Sequence, residues 1–145
     1  MRRFLAFLAF PLALGLAAAP GLAQGSCFPF PTATHLCLNG ARFQAEVTWS
    51  VPGLGTGAGQ AVPLTDDTGS FWFFDNSNLE LMIKVLDGRA VNGHFWVFYG
   101  ALSDVAYTIT VTDTVTGNRR RYHNNLHHQG SGADVDAFAA PAAAH

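Results

Sequence analysis

Between Gly69 and Gly117 the chain alternates short apolar or aromatic runs with clusters of turn-forming residues. FWFF (71–74), LELMIKVL (79–86), HFWVFYG (94–100) and VAYTITVT (105–112) are separated by DNSN, DGRAVNG and ALSD. Runs of about 4–8 residues, rich in aromatic and β-branched types and bounded by Asp, Asn, Gly and Ser, predict strands. Alternation places Leu79, Leu81, Ile83 and Val85 on one inward face. It places Val105, Tyr107, Ile109 and Val111 on another, with Ala106, Thr108, Thr110 and Thr112 pointing away. Upstream, Phe43, Ala45, Val47 and Trp49 alternate with Arg42, Gln44, Glu46 and Thr48, the pattern of an antiparallel strand with one side in water.

The segments between these runs read as turns and edges. Asn39-Gly40 is a turn signal. PGLGTGAGQ (52–60) carries glycines at 53, 55, 57 and 59, with no helical pattern after it and no lysine before Lys84. It reads as a flexible hairpin loop and not as a phosphate cradle. AVPL (61–64) reads as a short edge strand because of Pro63. DTVTGN (113–118) reads as a hairpin loop with Gly117 in a left-handed conformation. It leads into a polar edge strand, RRRYHN (119–124), whose arginines protect the edge from aggregation. About seven short strands and no helical period predict an antiparallel β-sandwich, immunoglobulin-like or jelly-roll-like, over residues 24–125. The stretch 126–145, rich in Ala and Gly, reads as a flexible tail whose Phe138 is the residue that could dock it on the domain.

The first residues change the picture of where this domain works. Arg2 and Arg3 precede an apolar stretch from Phe4 to Ala19, and Gly21 and Ala23 stand at the −3 and −1 positions of a cut before Gln24. This is the pattern of a signal peptide over 1–23, with flanks and length unlike those of a membrane span. A lipid anchor on Cys27 is disfavoured by Gln24, which stands where such a signal wants an aliphatic residue. The expectation is a secreted or periplasmic protein with no stable membrane anchor after cleavage. The two cysteines, Cys27 and Cys37, then read as a disulfide that pins the new N-terminus, contributing about 2–3 kcal/mol for so short a loop. A metal site would need further ligands at finger-like spacing, and none is present. Loss of Arg2 and Arg3 leaves six basic against ten acidic side chains, a balance of −4 that excludes phosphate-backbone binding and so nucleic acid as partner.

Three linked motifs, THLCLNGARFQAEVTW (34–49), GQAVPLTDDTGSFWFFDNSNLELMIKVLDG (59–88) and NGHFWVFYGALSDVAYTITVTDTVTG (92–117), resemble a β-domain of exported bacterial proteins. That domain occurs alone or appended to larger secreted chains. The resemblance runs from about Cys27 to Tyr122 and implies export and a compact β-domain. It carries no activity, ligand or catalytic residue with it.

Candidate chemistry centres on the aromatic runs. A two-layer sandwich needs one apolar face per strand, yet FWFF and HFWVFY are aromatic on both. Either the Cys27–Cys37 loop and the C-terminal tail cover the second face, or that face is an aromatic platform. The platform would use Trp72, Phe74, His94 and Trp96 with the polar neighbours Asp75, Asn76 and Asn78, the combination of rings and hydrogen-bonding groups that sugar stacking or protein docking requires. The turns at Asp66-Asp67, Asp75–Asn78 and Asp87-Gly88 offer oxygen ligands for a structural calcium without matching a calcium-loop motif. No other cofactor is expected. In HNNLHH (123–128), His123 and His127 would share a face if helical, but the glutamate base of the zinc-protease motif is missing, so surface histidines are expected. No serine lies in a nucleophile elbow, and an oxidised Cys37 is no nucleophile. The reading is a secreted, non-catalytic binding module for a polysaccharide or another secreted protein. Its alternatives are a structural or protein-interaction domain and, last, a metal-dependent hydrolase.

Overall fold

The computed structural model describes Cys27 and residues 32–140; residues 1–26, which hold the expected leader at 1–23, the segment 28–31 and residues 141–145 lie outside the described residues. In chain order the elements are β1 (Leu36–Leu38), β2 (Phe43–Val51), β3 (Gly55–Ala58), β4 (Gln60–Pro63), β5 (Thr68–Trp72), β6 (Leu79–Gly88), the one-turn α1 (Arg89–Asn92), β7 (His94–Ala101), β8 (Ala106–Asp113), β9 (Arg119–Asn124) and β10 (Ser131–Ala139). They build two antiparallel five-stranded sheets. Sheet A runs β1-β2-β8-β9, with β3 also paired to β2; sheet B runs β10-β7-β6-β5-β4. The chain therefore crosses between layers after β3, β7 and β9. The fold is an all-β sandwich.

The period-two pattern decides which side chains fill the space between the sheets. Phe43, Ala45 and Val47 of β2 and Tyr107, Ile109 and Val111 of β8 are buried from sheet A; Phe71, Leu81, Ile83, Val85, Phe95 and Val97 are buried from sheet B. Phe43 sits at the centre, its ring 4.9 Å from Phe95 edge-on and 5.1 Å from Phe138. The Sγ atoms of Cys27 and Cys37 lie at bonding distance, 2.06 Å, as the sequence predicts. Cys27 is further held by its N–H donating to Ala41 O at 2.9 Å, so the bridge ties the start of the described chain to the β1–β2 hairpin.

Three expectations are corrected. The described residues form ten strands, not about seven. The glycine-rich stretch is not a free loop: β3 pairs along β2 from Val51↔Gly55 to Thr48↔Ala58. A Cβ at Gly57 would stand 2.4 Å from Trp49 Cζ2, so glycine is there to let the indole lie on the strand. Of the stretch expected as a flexible tail, 126–145, the described part up to 140 is not loose, because β10 runs through it as the edge strand of sheet B. Its Phe138 and Ala137 are buried, and Phe138 pairs with Phe95. Pro63 and the arginine-rich β9 do lie at sheet edges, as read from sequence.

Candidate functional site

Inward packing of Phe95 and Val97 forces His94, Trp96 and Phe98 onto the outer face of sheet B, where all three are half-buried. The same alternation in β6 turns Met82, Lys84 and Leu86 outward. Register then sets Lys84 beside Phe98, Leu86 beside Trp96 and Met82 beside Gly100. Lys84 Nζ lies 5.1 Å from the centre of the Phe98 ring. A shallow groove of about 490 Å³ opens over Thr68, Met82, Lys84, Phe98 and Gly100. Its wall is mainly apolar, with Lys84 as the single cation, a surface on which a ring or an aliphatic stem can rest.

Trp96 is built into this face and not laid across it. Its indole lies over Gly88, where a Cβ would meet Trp96 Cε2 at 2.1 Å. Its Nε1 donates to Asn92 Oδ1 at 2.9 Å, so α1 and the β6–β7 turn fix its orientation. Asn92 also accepts from the His94 N–H at 3.2 Å and, through its amide, donates to Val135 O at 2.9 Å. His94 Nδ1 is 2.9 Å from Asn92 O and 3.7 Å from Asp136 Oδ1.

The residues singled out in the sequence do not form one site. Trp72 pairs with Leu79 at one end of β6, and Trp96 with Leu86 near the other. Seven strand residues separate them, roughly 23 Å. Trp72 is half-buried on the outer face, whereas Phe71 and Phe73 point inward. Phe74 lies beyond the strand and is 44 % exposed, with its ring 4.8 Å from Trp49. Asp75, Asn76 and Asn78 make the exposed β5–β6 turn. Phe98, which lines the groove, shares the face of His94 and Trp96 that the sequence had marked as aromatic; Lys84 and Met82 went unnoticed, although the alternation in LELMIKVL already pointed both away from the core.

The acidic turns are engaged by the chain itself. Asp75 Oδ1 accepts the Ser77 N–H at 2.8 Å and the Ser77 hydroxyl, and these two bonds hold its carboxyl below the usual value. Asp66 accepts the Gly40 N–H, Asp67 the Asn39 amide, and Asp87 the Arg89 guanidinium. The bond from Arg89 is the main reason the Asp87 carboxyl is also lowered. The histidines do not share a helical face: β9 ends at Asn124, and His127 has a positive φ of 66°. His123 Nδ1 is bonded to Thr108 Oγ1 at 2.9 Å, and His127 faces Asp104 at 3.4 Å. Among the described residues no three His, Cys, Asp or Glu side chains converge as a metal would require. No helix among them is long and apolar enough to cross a membrane.

A second depression, of about 480 Å³, lies on the outer side of sheet A over Thr48, Ser50, Thr56, Thr108, His123 and Asn125. Its lining is hydroxyl-rich where that of sheet B is apolar. Comparison with protein-family models, with curated proteins and with solved structures finds no match to this chain.

Proposed function

We propose that this chain is an exported, non-catalytic binding module that holds a polysaccharide strand against the outer face of sheet B. The observation that carries the reading is the half-open placement of Trp96 and Phe98 at alternate positions of β7, with Lys84 beside the Phe98 ring and a groove alongside. Planar rings fixed on a sheet present a low-entropy stacking surface for pyranose faces, and Lys84 and Thr68 supply hydrogen-bonding groups. Export is supported by the basic-then-apolar N-terminal sequence, by the resemblance to exported β-domains and by a cysteine pair that suits an oxidising compartment. The test is retention of the purified protein on insoluble polysaccharides and peptidoglycan. Retention should fall at least about tenfold in Phe98→Ala, the loss of one stacking contact. It should persist in Trp72→Ala, whose indole lies at the far end of the sheet. Retention that survives Phe98→Ala would sink the reading.

A protein-docking face is the second reading, favoured by Met82, which stands 41 % exposed beside the groove. A thioether adapts to irregular partners better than to sugar rings. A secreted-protein complex weakened by Met82→Ala, with no retention on any polymer, would select it.

A further inference from the structure

We propose that the opposite face of the sandwich, the outer side of sheet A, binds a linear anionic polysaccharide along the row Arg119, Arg121 and His123. Inward Tyr122 and Asn124 leave these three at alternate outward positions of β9. Successive members of such a row stand about 6.6 Å apart. Register sets each of them beside a hydroxyl on β8: Arg119 with Thr112, Arg121 with Thr110, His123 with Thr108. The row ends at the hydroxyl-lined depression, which gives the polymer a place to seat a sugar residue.

The cations of the described residues show why the two arginines of this row are free for a ligand, while His123 is held by Thr108. Arg42 is paired with Asp113 and Arg89 with Asp87. Arg120 donates to the carbonyls of Ala137 and Asp136, and Lys84 lies over Phe98. Among the described residues Arg119 and Arg121 alone make neither a bond to a carboxylate or other acceptor nor a contact with a ring face. The single acid on the outward side of β2, β8 and β9 is Glu46, and His35 Nε2 at 3.2 Å and the Gln44 amide already engage it. The guanidinium fork matches carboxylate and sulfate oxygens, and flanking threonines can bond sugar hydroxyls. No outward position of these strands is aromatic, so the face lacks the stacking surfaces that single-stranded nucleic acids use. The chain as a whole carries a net charge of −2, so attraction to polyanions is local to this row.

The test is affinity electrophoresis of the protein through gels containing polygalacturonate, neutral dextran or single-stranded DNA. Polygalacturonate should retard the protein at low salt and less so as salt rises, with dextran having no effect. Arg119→Gln/Arg121→Gln should weaken the retardation by about tenfold or more. Thr110→Glu, which sets an acid in the middle of the row, should weaken it comparably, and an unchanged thermal midpoint confirms that each variant is folded. Phe98→Ala should leave it unaltered, which separates this face from that of sheet B. Absence of retardation, equal retardation of the variants, or equal or stronger retardation by DNA would overturn the proposal.

Discussion

Arg42 and Asp113, 71 residues apart in sequence, meet as a two-pronged ion pair. Nε donates to Oδ1 at 3.1 Å and Nη2 to Oδ2 at 2.8 Å, with the side chains only 13 % and 1 % exposed. The Val115 N–H and the Thr116 hydroxyl complete the carboxylate, each at 3.0 Å. The guanidinium lies 4.3 Å from the centre of the Phe95 ring, and Arg42 O accepts from Thr114 at 2.7 Å. The pair thus locks the β8–β9 hairpin to the start of β2.

Burial opposes ionisation of Asp113, but Arg42, Val115 and Thr116 together outweigh it and hold the carboxyl below its ordinary 3.8. The folded state therefore binds fewer protons than the unfolded one. The stabilisation is complete above the unfolded value and is lost as pH falls through the lowered folded one. Asp113→Asn leaves a buried guanidinium without its anion and should cost about 3–5 kcal/mol. Thermal melts should show a lower midpoint at neutral pH and a flatter decline on acidification. Equal stability of variant and parent would show the pair to be dispensable.

All three tyrosines should resist alkali. Burial pushes the phenols of Tyr99, Tyr107 and Tyr122 up, Tyr107 to about 12 and Tyr122 further, with help from Asp134. Tyr122 donates to Asp134 Oδ2 at 2.8 Å, and Tyr107 to Gly130 O at 3.2 Å. Because the folded values are raised, the contribution of the neutral phenols is whole below the ordinary 10.0 and is lost as pH climbs toward the folded values. In a spectrophotometric titration, phenolate absorbance should lag that of free tyrosine, and the last two ionisations should coincide with loss of near-ultraviolet circular dichroism. Full phenolate formation near pH 10 with the fold intact would contradict this packing.

Gly88→Ala should displace the indole of Trp96. Gly88 has an unstrained φ of −96°, so the effect is one of space and not of backbone. Overpacking of this kind costs typically about 1–3 kcal/mol. It should also break the bond from Trp96 to Asn92, shifting tryptophan emission to the red as the indole meets water. An unchanged emission spectrum would place Trp96 elsewhere.

Most of the architecture was legible because burial obeys the period of the strand. The inward sets in LELMIKVL and VAYTITVT, and Phe43 to Val47, are the ones that fill the core. The Asn39-Gly40 turn shows the same legibility, with φ of 54° and 62° at its two residues. What escaped has a physical cause in each case. Gly57 belongs to a strand since Trp49 needs the room its missing side chain leaves, a tertiary demand that overrides the local preference of glycine for loops. β10 escaped because only Ala137 and Phe138 are buried in it and its register shifts between Asp134 and Phe138, which interrupts the alternation. The candidate site was misread for another reason. Trp72 and Trp96 stand close to similar turns in sequence, but consecutive hairpins send those turns to opposite ends of the sheet.

The place of β10 also dictates when the molecule can be finished. It is the last of the ten strands to leave the ribosome, yet β7 has only β6 on its other side and would otherwise present a bare edge of unpaired main-chain N–H and C=O groups. A nascent chain cut or stalled near residue 130 is therefore adhesive, able to add to the sheet of a neighbouring chain. Under the export proposed above, late arrival of the closing strand keeps the sandwich unfinished, and so threadable, until β10 has followed.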